Sequence, residues 1–206
     1  LEYDGVGVVT AGFDVSDTGS DKSGMVWRKG IAVIGIEDFD FKSAYENTKK
    51  AFLIAQDNDV YDFVYDAAGG SVDTYIQQNN INFATTGKLF GQSADDDYYD
   101  DTVLKKDIYM NLRAQMFMEL RNRFRKTHEH VTGIKQHDID DMIKIPRNNN
   151  LIDELSQPTF SRNTAGKWKI ESKDDMKRRG IKSGNLADAL AMCYLGGYVH
   201  DYSIYE

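Results

Sequence analysis

The sequence holds a single cysteine, Cys193, and two prolines in 206 residues. One thiol excludes an internal disulfide framework and any thiolate-ligated metal cluster, and it fits a reducing compartment. So few prolines, with 17 glycines scattered along the chain, exclude collagen-like and Pro-rich linker material. No apolar run approaches the roughly 18 residues that a membrane-spanning helix needs, and no charged-then-apolar leader opens the chain. The absence of any Gly-x-x-x-x-Gly-Lys-[Ser/Thr] loop excludes a P-loop ATPase from these residues. Basic residues are in the minority as well: 25 Lys and Arg against 33 Asp and Glu leave a net charge of −8. That sign is opposite to the usual footprint of a free-standing DNA-binding module.

What is present is material for a packed core, 41% hydrophobic with 12% aromatic residues, in a length suited to one large domain or two small ones. The chain opens on Leu1 and enters a strand-like run within a few residues, so we expect a piece of a longer polypeptide.

Residues 6–14 and 25–39 are β-branched and apolar and read as two or three neighbouring strands. Asp17-Thr18-Gly19-Ser20 and Arg28-Lys29-Gly30 supply the turns. From Phe41 the pattern becomes helical, with Tyr45, Lys49, Phe52 and Leu53 at spacings of three and four, ending near Asp57-Asn58. A short buried strand over 60–65 stops at Asp66, and a helix over 71–78 follows with Ser71 as its N-cap. Residues 87–106 show no period, and the acidic run 95–101 reads as a solvated loop. Ile108, Leu112, Met116, Leu120 and Phe124 fall every fourth residue and predict the longest helix. A polar connection through Arg147-Asn148-Asn149-Asn150 precedes short strands near 158–162 and 168–171, and helices over 174–179 and 185–194 close the chain. Strands first, then alternating helix and strand, with a final helix, predict an α/β domain with a mixed sheet.

Three aspartates stand among apolar neighbours. Asp14 ends the first strand, Asp66 ends another, and Asp188 lies inside Ala-Asp-Ala-Leu-Ala-Met of the last helix. An ionised carboxylate there is costly unless something neutralises it. The natural neutraliser of carboxylates gathered from separate elements is a hard divalent cation such as Mg²⁺, which takes oxygen ligands and keeps room for water and phosphate. Two such ions, roughly 3.5–4 Å apart, activate a water and stabilise the leaving oxygen of an in-line displacement. Each acid also has a plainer reading. Asp14 opens a turn-rich string, Asp66 precedes Gly69-Gly70 and a helix, and Asp188, with Asn185 as N-cap, complements the helix N-terminus at its third position. Their joint placement is what points to a metal-dependent nuclease.

Other candidates carry less. His128, His130 and His137 sit in a polar stretch beyond the long helix without an acid or cysteine at ligand spacing, and read as surface residues. The string from Asp14 to Asp21 has Met25 where a calcium loop needs a bidentate Glu. Cys193 reads as a core residue.

Four segments in order carry a family resemblance: Gly12-Phe13-Asp14-Val15-Ser16-Asp17 through Lys22-Ser23; Tyr65-Asp66-Ala67-Ala68-Gly69-Gly70-Ser71-Val72; Asn111-Leu112-Arg113-Ala114-Gln115-Met116-Phe117; and Lys173-Asp174-Asp175-Met176-Lys177-Arg178-Arg179-Gly180 through Ala187-Asp188-Ala189-Leu190-Ala191. Over nearly the whole chain they resemble the nuclease domain of the large terminase subunit of tailed double-stranded DNA bacteriophages. The resemblance implies a ribonuclease H-like fold, with a central mixed sheet flanked by helices, in which Asp14, Asp66 and Asp188 hold two divalent cations, Mg²⁺ or Mn²⁺. It implies endonucleolytic cutting of concatemeric viral DNA during genome packaging. Residues 1–206 would form one nuclease domain, the C-terminal part of a protein whose ATPase domain lies N-terminal to it. Implied partners are double-stranded DNA, that ATPase domain, the portal protein and the small terminase subunit, with no membrane. The implied location is the cytoplasm of the infected bacterial host, at the procapsid portal.

Within this resemblance Asp17 and Asp21 both lie where an auxiliary acid could reach the first metal, and the sequence does not choose between them. Ser183-Gly184-Asn185 departs from the Ser-Pro-Asp often found before the Ala-Asp-Ala-Leu motif, which leaves no acid at Asn185. Lys173 either approaches the phosphate or balances the acidic cluster. DNA contact is expected from Lys173, Lys177, Arg178, Arg179 and Lys182, next in sequence to the Asp188 helix, ahead of the cluster Arg121, Arg123, Arg125 and Lys126, which reads as a solvated helix face. Two rivals remain at this stage. One is an actin-like or sugar-kinase-type phosphotransferase, whose first phosphate-binding turn resembles residues 14–20 but which needs two copies of the domain. The other is a non-catalytic packaging or capsid-binding module.

Overall fold

Side-chain alternation decides which face of a sheet each residue serves, and here it separates the chemistry from the aromatic core. In the computed structural model, which describes residues 5–16, 22–41, 43–182 and 184–195, five strands form one mixed sheet in the order β3-β2-β1-β4-β5. They are β1 (Val9–Asp14), β2 (Ser23–Lys29), β3 (Ala32–Phe39), β4 (Val60–Asp66) and β5 (Ala84–Lys88). β2 is antiparallel to β1 and β3, whereas β4 is parallel to β1 and β5 parallel to β4.

Ala11 and Phe13 of β1, with Met25, Trp27, Phe63 and Tyr65, point to one face. They are covered there by α1 (Ala44–Asp57) and α2 (Ser71–Gln78). This half of the core is aromatic: Phe52 and Phe63 have ring centroids 4.7 Å apart, close enough for the pair to add to its area burial. Val26 and Val64 point the other way, beneath α4 (Leu112–Val131) and α7 (Asn185–Cys193). Between α4 and α7 the chain forms α5 (Asn149–Ser156), the hairpin β6 (Phe160–Arg162) and β7 (Trp168–Ile170), and α6 (Lys173–Arg178). A single turn, α3 (Lys105–Ile108), precedes α4.

α7 lies directly on the backbone of β1 and β2. A Cβ added at Gly12 would sit 2.0 Å from the Ala189 carbonyl oxygen and 2.5 Å from the Cys193 nitrogen, and one at Gly24 would sit 2.6 Å from the Asn185 carbonyl carbon. Only glycine permits that approach. The helix is then fastened at its far end by Arg28 of β2, whose Nε donates to the Cys193 carbonyl at 2.7 Å.

Several elements depart from what the sequence predicts. The 71–78 helix is capped by Gly70 in the left-handed region (φ 72°), not by Ser71. The tight turn after Asp66 needs positive φ at both Gly69 and Gly70, so Ser71 becomes the first helical residue. Asn185 is likewise inside α7 and Gly184 is its cap, with no side-chain cap bond. The face that α1 buries is Asn47, Thr48, Ala51, Phe52, Ile54 and Ala55, while Tyr45 and Leu53 are exposed. Ile108 lies in α3, before the long helix. The turn between β2 and β3 falls at Gly30-Ile31, with Arg28 and Lys29 still in the strand. The sequence predicts neither β5 nor α5: Ala-Thr-Thr-Gly-Lys has no apolar alternation, and α5 begins inside the polar Arg147-Asn148-Asn149-Asn150 stretch.

The glycine contact makes a stability prediction. Gly12→Ala should cost folding free energy at or above the upper end of the roughly 1–3 kcal/mol typical of overpacking, because backbone of α7 cannot swing aside as a side chain does. Urea unfolding of the variant beside wild type measures it.

Candidate active site

Parallel register sets Phe13 beside Tyr65. Asp14 and Asp66, one residue further along, therefore end neighbouring strands on the face that α7 covers. Asp188, in the first turns of α7, arrives from above and is fully buried, and Asp14 is 2% exposed. Asp66 is only half-buried, and its Oδ1 accepts the Ala68 N–H at 3.1 Å, which fixes the turn out of β4.

A cation already stands among these acids. Lys173, the first residue of α6, places Nζ 3.0 Å from Asp14 Oδ2 and 2.9 Å from Asp188 Oδ2. The other oxygen of Asp188 accepts from Arg113 Nε at 3.1 Å, and that guanidinium is itself held by the Glu171 carbonyl at 2.8 Å. Asp188 is thus gripped by one cation per oxygen instead of capping its own helix. Lys173 also lies over the Phe90 ring, 5.3 Å from its centroid. Asp66, Phe90, Gly91, Gln92 and Lys173 share the lining of a cleft of about 630 Å³ that gives access to the cluster.

The electrostatics follow from burial. Loss of water raises the Asp14 carboxyl most; Lys173 opposes this, and the charges of Asp188 and Asp66 add to it, leaving Asp14 at about 7. Burial works against the Lys173 charge, but Asp188 and Asp14 outweigh it and hold the ammonium above its ordinary value. Among the described residues no three His, Cys, Asp or Glu side chains stand close enough to chelate an ion as they are; the ammonium fills that place. The residues nonetheless fit a hard divalent cation. The donors are all carboxylate oxygens, two of them buried, and the arrangement is stable only with positive charge among them.

Of the three acids the sequence singles out, Asp14 and Asp188 share Lys173, and Asp66 ends the adjoining strand near enough for its charge to raise the Asp14 carboxyl. Asp17 and Asp21 lie outside the described residues. Of the basic residues expected on DNA, Lys173 is spent on the acids, Arg178 pairs with Asp175, and Arg179 pairs with Glu171 at 2.6 Å. Lys177 and Lys182 are exposed, with no ion pair among the described residues. In the other cluster Arg121 and Arg125 are exposed as expected of a solvated face, whereas Arg123 donates to the Asp140 and Met142 carbonyls and Lys126 pairs with Asp141, fixing the segment after α4. His128 and His130 belong to the last turn of α4, not to a stretch beyond it, and the His137 ring is enclosed beside Glu129 at 2.6 Å. The acidic run is less free than read, because Asp95 is clamped by the buried Gln115 through two hydrogen bonds of 2.6 and 2.8 Å.

Two residues of the site were missed. Arg113 carried a signal, since a cation in the first turn of a helix opposes the dipole and needs a partner. Glu154 carried none. It reaches from α5 to the start of α7, where Oε2 accepts the Ala187 N–H at 2.9 Å, so it supplies the cap that Asn185 does not. A Cβ at Gly184 would stand 3.1 Å from its Cβ.

A mixed sheet in this order, with acids at the ends of its two central parallel strands and on the last helix, is the ribonuclease H-like arrangement. Solved structures similar to the chain include phage large-terminase nuclease domains. The nuclease domain of the large terminase subunit gp2 of bacterial virus Sf6 is 28% identical, covering 93% of this chain and 89% of that one, with a TM-score of 0.86. A lysine-to-alanine variant of the Sf6 domain, with manganese and β-thujaplicinol, matches at 28% identity over 93% and 89% with a TM-score of 0.85. The Thermus phage P74-26 large terminase nuclease domain matches over 94% of this chain and 82% of that one at 13% identity and a TM-score of 0.58, a likeness of fold. Other structures of such domains carry calcium, magnesium or cobalt. No protein-family model and no curated protein matches the chain.

Glu154 gives a pH prediction. Burial pushes its carboxyl up to about 7 from the ordinary 4.5, against the pull of the Ala187 and Leu186 N–H groups. A raised acid contributes stability that is complete below about 4.5 and is lost as pH rises through about 7. Unfolding free energies should therefore fall from pH 5 to pH 8, and Glu154→Gln should flatten part of that fall; equal slopes in the two proteins would contradict it.

Proposed function

We propose that this chain is a metal-dependent nuclease of phage DNA packaging, cutting concatemeric viral double-stranded DNA as the nuclease part of a large terminase, with Asp14, Asp66 and Asp188 as ligands of two divalent ions. The observation that carries the reading is the Lys173 ammonium clamped between Asp14 and Asp188 beside Asp66 at the end of the adjoining strand. Two buried carboxylates from separate elements are held together by a cation, with a third acid at the end of the adjoining strand. Bound Mg²⁺ or Mn²⁺ would supply a water nucleophile at neutral pH and charge stabilisation at the leaving oxygen.

The chain's own residues have separable tasks in this reading. Asp14 and Asp188 present one oxygen each to the cation position, and Asp66 faces the cleft through which a phosphodiester would arrive. Arg113 keeps Asp188 from rotating. Lys173 keeps the cluster near neutrality until a divalent ion replaces its charge. The partners that fit are double-stranded DNA, an ATPase domain elsewhere in a longer polypeptide, the portal protein and the small terminase subunit. No helix among the described residues is long and apolar enough to cross a membrane.

Supercoiled plasmid with Mn²⁺ or Mg²⁺ tests the acids. Asp14→Asn, Asp66→Asn and Asp188→Asn should each bring cutting down to background, and undiminished cutting in all three would remove this site. Lys173→Ala tests the resident cation. It should bind Mn²⁺ more tightly than wild type in calorimetry, and without metal it should melt at a lower temperature.

A further inference from the structure

Phosphate contacts need cations that are not already engaged, and most basic residues near the acids are. Among the described residues Lys177 and Lys182 are unpaired but exposed, whereas Lys169 is unpaired and lines a cavity that Lys173 shares. Lys169 lies in β7, half-buried, and makes no ion pair or side-chain hydrogen bond among the described residues. It faces a cavity of about 240 Å³ between β7 and the start of α4, which Arg113 and Lys173 also line, with Asn111 and Ser172. No carboxylate lines this cavity, although on its other side Lys169 borders a cleft that Glu171 and Asp175 line, and its charge, after the Ser172 hydrogen bond and Arg178, favours the ionised Asp175. Asn111 commits its Oδ1 to the Ala114 N–H at 3.0 Å, which leaves its amide hydrogens as donors. Lys173 lines both this cavity and the cleft at Asp66, so the two spaces meet at the catalytic cluster.

The alternative route for DNA runs past the start of α7, through a cleft of about 490 Å³ lined by Lys22 and Lys182. That cleft also exposes Asp38 and Glu154, and Lys22 is paired with Asp38 at 2.9 Å. A polyanion is drawn to the space without carboxylates.

We propose that the cavity between β7 and the start of α4 is a phosphate subsite for the DNA strand being cut, next to the scissile position, with Lys169 as its contact residue. The proposal rests on the nuclease reading and adds to it where the strand lies. The ligand is a backbone phosphodiester, so recognition is independent of base sequence.

The test uses the 206-residue chain, two short fluorescein-labelled duplexes of unrelated sequence, and EDTA so that nothing is cut. Binding by anisotropy is followed across a series of KCl concentrations. Lys169→Ala should weaken binding to both duplexes alike and lower the slope of log affinity against log salt by about 0.9, the loss of one phosphate contact. Lys169→Arg should restore the slope, and Lys49→Ala, on α1 behind the sheet, should leave it unchanged. An unaltered slope in Lys169→Ala, with wild-type protein that binds duplex and cuts plasmid in Mn²⁺, overturns the subsite alone. Wild-type protein that neither binds duplex nor cuts plasmid overturns the subsite together with the nuclease reading.

Discussion

The close approach of α7 to the backbone of β1 and β2 is the constraint on which the site depends. With glycine at positions 12 and 24 there is no side-chain layer between helix and sheet, so a residue on the inner face of α7 descends to the level of the strand ends. That is what brings Asp188 to Asp14, which ends β1 and stands opposite Gly24 in register. The contact is steric and tolerates little slack, since protein interiors are packed to crystal-like density. Arg28 at one end of the helix and Glu154 at the other remove the remaining freedom to slide.

Much of this was readable from residue order. Val9–Asp14 and Val60–Asp66 are strands with an acid as the last residue, and a strand end is legible because the apolar run simply stops. The buried placement of Asp188 followed from its apolar neighbours. What escaped depended on partners distant in sequence. Arg113 and Asp188 are 75 residues apart, so the need of Arg113 for a partner is legible but the partner is not; Lys173, 159 residues from Asp14, was open to two readings, and the structure has it balancing the acids. α7 is capped by a residue of α5, itself unread, which is why Asn185 was the wrong choice. β5 is held by its pairing with β4 and not by a propensity of its own.

The negative net charge takes on a different meaning once positions are known. Asp95 is tied to Gln115 and Asp96 to Lys106, so the start of the acidic run is anchored, while residues 97–101 remain exposed. Basic residues are numerous nearby, but several serve internal contacts. The cationic surface left for a polyanion is small and local, and its position matters more than the overall sum.

Lys173 has one more consequence. In small metal-nucleated domains the ligands repel one another until the ion arrives, so metal supply and folding are the same event. Here a covalently attached ammonium offsets that repulsion from the outset. The chain can fold with its acids already in register, and in the proposed reading a divalent ion arriving later would take over the charge balance that Lys173 provides. In that reading, construction of the scaffold and arming of its chemistry would be separate steps.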